Sequence, residues 1–585
     1  MVERGQYTHA VLLRVLQRLI KPRVPATDAA EGLARWRAGD LRGAEAAFRA
    51  AVKSNAVDAQ ALHGLGSVLV AQTRLDEGIE ALRQAVEARP HEVDYRLALG
   101  NALARGKQIS DAVVQFTAAV ELAPEQPELE ARVLKPLLDI CDWNRVEASL
   151  ARLQRCAHSE PAERWTRRVH PWVALALPMP AGMRHEISRQ HALRVAARAA
   201  VMPALRRKSR ERGPRLRLGY VSADLRNHPV AQLAAGLFER HDRARFEVTA
   251  YSLLGDDGSE HRRRVRAAFE RFVDAEDLAP AALAQRIADD GIDVLVDLTG
   301  YTGQAQTEVF ALRPAPLQVG YLGFPGPMQA RFIDYLIADA VVVPASELDA
   351  ITEAVVHMPG SYQANDDRQP TAEATPTRAQ AGLPETGFVF CCFNQNFKIE
   401  RAVFAAWMRV LAAVPDSLLW LFASNPEAEV RLRAAAAAQG VDPARLVFAR
   451  WARRPEHLAR QRLADLFLDT HTYNGHTTGS DALWAGVPLL TWPSDAFAGR
   501  VAASLLTAIG LPELIAPSLA DYESLAVELA RDGARLRALR ERLAANRLTQ
   551  PLFRTEDFTR CLERAYERMW ARHEAGEPPR HFVAR

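Results

Sequence analysis

The sequence predicts a helical repeat stack followed by two parallel α/β halves, and three observations lead there. A period of 34 residues runs near the front: Leu65-Gly66 returns as Leu99-Gly100, and Ala44, Gly78 and Ala112 fall in step. Phe48, Leu82 and Phe116 keep the same spacing, as do Ala51, Ala85 and Ala119, and Pro90 and Pro124. From about Leu216 the pattern changes to short β-rich runs separated by helix-length amphipathic segments. That alternation breaks once, at the Pro/Thr/Ala-rich stretch "QPTAEATPTRAQAGLPETG", and then resumes.

The repeat has the register of a tetratricopeptide unit, in which small residues let two helices approach, a large one plugs the gap and Pro ends the second helix. Three clear repeats run from Ala30 to about Pro124, and "LKPLLDICDWNRVEASLARLQ" is a degenerate fourth. Such stacks bury a continuous core and present a concave surface to peptides or proteins. The expected organisation is an N-terminal helix over 1–29, repeats over 30–155 and a helical linker over 156–212. A first α/β domain follows over 213–375, a second over 376–565, and a tail over 566–585.

In the α/β region, "LRLGYVSAD", "FEVTAYSLL", "DVLVDLTGY" and "DYLIADAVVV" read as strands before the break. After it come "FVFCCFNQ", "LLWLFAS", "LVFARW", "ADLFLDT" and "VPLLTW". Near-continuous apolar strands alternating with helices imply parallel sheets covered on both faces. Ligands of open α/β sheets sit beyond the carboxyl ends of the strands. That rule directs attention to Asp224–Pro229, Thr299–Gly303, Asn394–Lys398, Trp451–His457 and Thr470–Asp481.

Composition narrows the function classes. In 585 residues, 74 Lys+Arg nearly balance 71 Asp+Glu, so the overall field gives no reason to expect nucleic acid or an anionic membrane. The basic run "ALRRKSRERGPRLR" reads as a solvated interdomain segment. The five cysteines show neither a paired framework nor a C-x-x-C spacing, which fits a reducing compartment. The first residues interleave Arg with Leu and Val, and nowhere do about 18 apolar residues run together, so a soluble, cytoplasmic protein is expected. Asp366-Asp367 has no His or Cys at ligand spacing, and no metal or other cofactor is expected. His185, His241 and His261 are expected at the surface, and His471 in a structural or solvent-facing role.

The stretch "NGHTTGSDALWAGVP" reads as a loop entering a helix near Thr477 that ends at Gly486 before a strand. A helix start offers unpaired N–H groups and partial positive charge, which suits a phosphate. The plain alternative is a Ser/Thr-capped helix with no ligand, Asp481 being a favourable first-turn acid. With a nucleotide diphosphate bound, Asp481 is better placed on a ribose than against the phosphates. Lys398, after "FVFCCF", can reach the same cleft and offset charge on a leaving diphosphate.

Together "RLRLGYVSADLRNHPVAQL", "DVLVDLTGYTGQAQTEVFALRPAPLQVGYLGFPG", "FNQNFKI", "RRPEHLAR" and "DTHTYNGHTTGSDALWAGVPLLTW" resemble the catalytic half of the O-linked N-acetylglucosamine transferases, which also carry tetratricopeptide repeats. The resemblance spans about Ala30 to Thr559. It implies a GT-B fold, two Rossmann-like domains with a cleft between them. It also implies inverting, metal-independent transfer of N-acetylglucosamine from UDP-N-acetylglucosamine to Ser or Thr of a protein or peptide acceptor. That acceptor is expected to touch both the repeats and the cleft.

Carried over motif by motif, the resemblance puts Lys398 on the diphosphate with Gln395 beside it, and His476, Thr477 and Thr478 on the phosphate side. It puts Asp481 on the ribose and Ala452, Arg454, His457 and Arg460 around the uridine, with Arg454 standing where the family has lysine. On the sugar side, Asp224, Asn227, His228 and Pro229 match the family's histidine motif, and Tyr301, Leu322 and Gly323 match further cleft positions. His191, in the short match "ISRQHALRV", corresponds to a second histidine. The acceptor's proton has His228, Asp224, His191 or the leaving phosphate as candidate destinations. Two alternatives stand beside this reading: a SPINDLY-type fucosyltransferase using GDP-fucose, which Gln395 and His476 argue against, and a repeat protein with an inactive transferase half.

Overall fold

The computed structural model describes residues 29–206 and 213–585. The helix expected over 1–29 therefore lies outside the described residues except for Ala29, as does 207–212 of the basic segment. The chain forms two compact units, Met1–His170 and Pro171–Arg585.

In the first unit the 34-residue columns become helix contacts. Helices Leu41–Ser54, Ala59–Ala71, Leu75–Ala88, Val93–Arg105 and Ile109–Leu122 succeed one another through short turns. A Cβ on Gly66 would lie 2.8 Å from the Gly78 carbonyl oxygen, and one on Gly100 2.6 Å from the Phe116 ring, so the small column is where helices touch. Phe48, Leu82 and Phe116 are the buried plugs. Asp40 and Asp58 cap their helices by accepting first-turn N–H groups. The fourth unit is degenerate because Pro136 sits inside the short helix Ala131–Asp139, before Trp143–Ser159.

The second unit holds two all-parallel sheets. The first contains β1 (Leu216–Ser222), β2 (Phe246–Ser252), β3 (Arg271–Asp274), β4 (Val294–Asp297), β5 (Leu317–Gly320), β6 (Tyr335–Ala338) and β7 (Ala354–His357). The second contains β8 (Phe388–Cys392), β9 (Ser417–Phe422), β10 (Leu446–Ala449), β11 (Leu466–Leu468) and β12 (Leu489–Leu490). Its order is β10-β9-β8-β11-β12. The first sheet is ordered β13-β7-β6-β5-β4-β1-β2-β3, where β13 is Phe582–Val583 at the end of the chain. This is the GT-B arrangement.

Three expectations change. Residues 566–585 are not a tail: helix Thr555–Glu574 runs through the expected boundary and β13 pairs with β7. The helix is held to the first sheet because Tyr566 is fully buried with its hydroxyl 3.3 Å from that of Tyr220, and Glu563 accepts from His241 at 3.1 Å. His241 is thus a core residue, not a surface one, while His185 and His261 are half-buried. The linker expected over 156–212 is divided, since helix Ala181–Ala200 belongs to the α/β unit. It buries Ile187 and Val195 and is tied by Arg198 to Glu308 at 2.8 Å and by Arg184 to Asp495 at 2.7 Å. Asp366 and Asp367 are both taken by arginines, Arg264 and Arg240.

Candidate active site

At the carboxyl ends of β8 and β11 a hydrogen-bonded cluster shapes the loop that precedes helix Thr477–Ala485. Asp469, the residue after β11, is 2% exposed. One of its oxygens accepts the Gly475 N–H at 2.7 Å and the Asn394 amide at 3.1 Å, and the other accepts the Thr491 hydroxyl at 2.9 Å. Burial pushes this carboxyl up to about 6, against the pull of those donors. Asn394 in turn accepts the Thr478 hydroxyl. The Thr478 hydroxyl proton is therefore committed inside the protein, and Thr477 is the residue whose hydroxyl is left for a ligand.

No side chain caps this helix. His476 occupies the cap position without a capping bond, and Ser480 is turned inward to accept from Gln363 at 2.6 Å. The first N–H groups of the helix and its positive end are left to the loop side. The His476 Nε2–H donates to the Ala498 carbonyl at 2.9 Å, which leaves Nδ1 as an acceptor. Burial, and then the charge of Lys398, hold this imidazole neutral, well below its usual range. Gly486, in the left-handed region at φ 84°, ends the helix before β12.

Lys398 follows β8 on the single turn Asn396–Lys398. Its ammonium donates to the Asn474 carbonyl at 2.8 Å and lies 4.1 Å over the Tyr473 ring. Burial lowers it to about 8, with the Asp469 carboxylate opposing the shift. Gln395 precedes this turn and is exposed.

In the segment after β10, Arg454 begins helix Arg454–Gln461 and forks onto Asp481, with N–O distances of 2.6 and 3.0 Å. Both side chains are more than nine-tenths buried. Asp481, expected to accept from a ribose, has both oxygens on Arg454, and the Arg454 fork is filled by Asp481, Gln232 at 2.9 Å and Gln369. His457 Nδ1 accepts from Arg460 at 3.1 Å, and burial drops the imidazole to about 3, so it presents a neutral ring edge-on to Phe393. Arg460 also donates to the Arg450 carbonyl at 2.6 Å. Ala452 lies half-buried in the segment between β10 and this helix.

The first sheet supplies the opposite wall. His228 caps helix Pro229–Arg240, its Nδ1 accepting the Val230 N–H at 3.3 Å and lying 3.5 Å from an Asp224 oxygen. Burial lowers the imidazole and raises the carboxyl. Asn227 and Pro229 are exposed. Asn227 accepts from Gln232 at 3.1 Å, and Gln232 accepts from Arg454, so a chain Asn227–Gln232–Arg454–Asp481 joins the two sheets. Leu322 takes φ +65°, a strained conformation for leucine, at the turn after β5. A Cβ on the adjacent Gly323 would meet the Leu298 carbonyl, so only glycine fits there. Tyr301 is corrected: it is 1% exposed and its hydroxyl donates to the Met328 carbonyl at 3.0 Å. It supports the ring of His191, 4.6 Å away edge-on, and does not present its hydroxyl to the cleft.

Sequence reasoning missed Asp469, Gln232 and Gln363, and left Asn394 without a role. The first follows β11 directly and Asn394 nearly follows β8, so the carboxyl-end rule was signal enough for those two. Gln232 and Gln363 act through contacts between distant segments and carry no local signal. Among the described residues there is no group of three or more His, Cys, Asp or Glu suited to a metal ion, and no helix long and apolar enough to cross a membrane.

The chain matches glycosyl transferase family 41 over residues 140–375 and 363–562, and the tetratricopeptide repeat over 29–79 and 63–127. It is 40% identical over 464 residues to a probable UDP-N-acetylglucosamine–peptide N-acetylglucosaminyltransferase SEC of Arabidopsis thaliana, covering 77% of this chain and 48% of that one. It is 31% identical over 563 residues to the UDP-N-acetylglucosamine–peptide N-acetylglucosaminyltransferase of Caenorhabditis elegans, covering 76% and 49%. The chain thus spans about half the length of these relatives. A solved structure of a mutant Thermobaculum terrenum O-GlcNAc transferase superposes with a TM-score of 0.70 at 29% identity, over 97% of this chain and 98% of that one.

Proposed function

Because the chain belongs to glycosyl transferase family 41, we propose that it moves N-acetylglucosamine from UDP-N-acetylglucosamine to Ser or Thr hydroxyls of a protein or peptide acceptor. The reading includes inversion at the anomeric carbon, no metal requirement, acceptor contact at both the repeats and the cleft, and a cytoplasmic setting. The observation that carries it is the meeting of Lys398 with the uncapped helix start at His476–Thr478, a concentration of positive potential beside a carboxyl-end cleft.

In this reading the acceptor oxygen attacks the anomeric carbon from the face opposite the diphosphate, and the bond to the leaving phosphate oxygen breaks. The charge that develops on UDP is met by Lys398, the Thr477 hydroxyl and the helix N–H groups, all oriented before the donor arrives. That potential does the work a divalent cation does elsewhere. The Arg454–Asp481 pair fixes the floor on the ribose side, and the neutral His457 ring and Ala452 backbone take the uracil, with Arg460 and Gln395 at its margins.

His228 is assigned the sugar. With Nδ1 accepting the Val230 N–H, its neutral ring carries the proton on Nε2 and is a donor, suited to a sugar oxygen more than to removal of the acceptor's proton. Asp224, raised by burial, and the donor phosphate are then the proton's destinations. His191, backed by Tyr301, lines the acceptor approach.

The test is calorimetry with UDP-, GDP- and ADP-linked sugars side by side, followed by mass spectrometry of an acceptor peptide. Preference for the uridine donor and a gain of one N-acetylhexosamine support the reading. Preference for GDP-fucose assigns the fucose branch, and no binding of any donor makes the transferase half inert.

A further inference from the structure

The second sheet carries another cavity at its opposite end, where strands begin. It is an open groove of about 650 Å³ lined by Arg378, Arg531, Arg537 and Arg540, with Asp416 and Asp465 as its acidic residues. Phe388 opens β8, Asp416 precedes β9 and Asp465 precedes β11, so the cavity lies at the amino ends of these strands, away from the site described above.

Three of the arginines are anchored by main-chain oxygens, which fix a guanidinium without neutralising it. Arg378 donates to the Gly387 carbonyl at 2.8 Å and Arg531 to the Ala413 carbonyl at 2.8 Å. Arg540 donates to the carbonyls of Ala464 and Asp465. Asp465 is shared, 3.5 Å from Arg378 and 3.3 Å from Arg540. The buried Nε–H of Arg540 finds no acceptor among the described residues. Four guanidinium groups around two carboxylates leave an excess of positive charge, held in planar forks that match phosphate oxygens. Phe388, Val414 and Leu536 add an apolar wall.

We propose that this cavity is a second anion site that takes a phosphate chain, either the triphosphate of a free nucleotide or an inorganic polyphosphate. The chain would lie among Arg378, Arg531, Arg537 and Arg540, the last two being neighbours on one helix face. The proposal does not depend on the donor assigned above.

Titration calorimetry of the full chain with inorganic tripolyphosphate, and separately with ATP, tests it, each with and without saturating UDP. The expected result is one site that persists under UDP, weakened about tenfold or more in Arg531→Ala/Arg537→Ala and in the single Arg537→Glu, as befits loss of charge-assisted hydrogen bonds. Arg535→Ala, on the same helix but paired with Glu528 at 3.0 Å, is the control and should bind like the unaltered protein. Tighter binding of ATP than of tripolyphosphate assigns the apolar wall to the nucleoside, and equal binding assigns the bare chain. Binding that UDP abolishes, that survives Arg537→Glu, or that is absent up to millimolar ligand overturns the proposal.

Discussion

The two walls of the cleft are built differently. On the second sheet, Asp469, Asn394, Thr478 and Gly475 are tied to one another, Lys398 to Asn474, and Arg454 to Asp481. On the first sheet, His228 has one long contact with its own helix and one with Asp224, and its side chain is 37% exposed. A wall locked in advance suits a part of the substrate that is recognised and does not change, the nucleotide. A wall with uncommitted donors and a raised carboxyl suits the part where bonds are rearranged.

Breaking the locked wall should cost stability as well as function. Arg454→Ala strands the Asp481 carboxylate in the interior, for which a loss of about 3–5 kcal/mol of folding stability is expected. Chemical denaturation checks this, and Arg454→Lys, which keeps the charge, should recover part of the loss. Restoration in Arg454→Ala/Asp481→Asn would confirm that the unpaired charge is the cause.

Lys398→Ala comes next. Removing one preorganised donor from the leaving phosphate should lower turnover by about two to three powers of ten. Its far-ultraviolet circular dichroism should be unchanged, because Lys398 donates to one carbonyl at the edge of the cluster. Single-turnover assays report the chemical step directly.

On the open wall, His228→Ala should lower transfer by about a hundredfold while leaving the melting temperature within a degree or two. A large loss of stability instead would place His228 among the locking residues and erase the contrast between the walls.

The smallest effect is a pH dependence. Burial lowers Lys398 to about 8, and its charged form is the one that favours a diphosphate. Binding therefore takes up a proton when the pH is near or above that value. Above the last ionisation of UDP's own terminal phosphate, at about 6, UDP affinity should fall as pH rises through 8, by at most about tenfold per unit. Lys398→Arg should move the fall out of the accessible range. An unchanged pH profile in that variant would remove Lys398 from the diphosphate.

Much of this contrast was legible in the residues. The 34-residue columns place the helix contacts of the repeats, and all nine quoted strand segments contain strands. Four strands, β3, β5, β7 and β13, were not anticipated. The return of the C-terminal helix to the first sheet was hidden because Glu563 and Tyr566 find their partners, His241 and Tyr220, more than 300 positions away in sequence. Motifs located Lys398, Asp481 and His228 but not their state. That Asp481 is taken by Arg454, that the Thr478 hydroxyl is spent on Asn394 and that Tyr301 faces the interior depend on side-chain geometry that spacing does not encode.

The central claim is that the second sheet holds the nucleotide and the first sheet the sugar, and UDP is the ligand that separates them. Titration calorimetry with UDP should show affinity weakened roughly tenfold to a hundredfold in Lys398→Ala, the range for losing one charge-assisted hydrogen bond, and weakened also in Asp481→Asn, which loosens the Arg454 pair that floors the ribose side. In His228→Ala it should be unchanged within about twofold, because UDP lacks the sugar that His228 is assigned to hold. UDP affinity preserved in Lys398→Ala and Asp481→Asn but abolished in His228→Ala would contradict the assignment of the two walls.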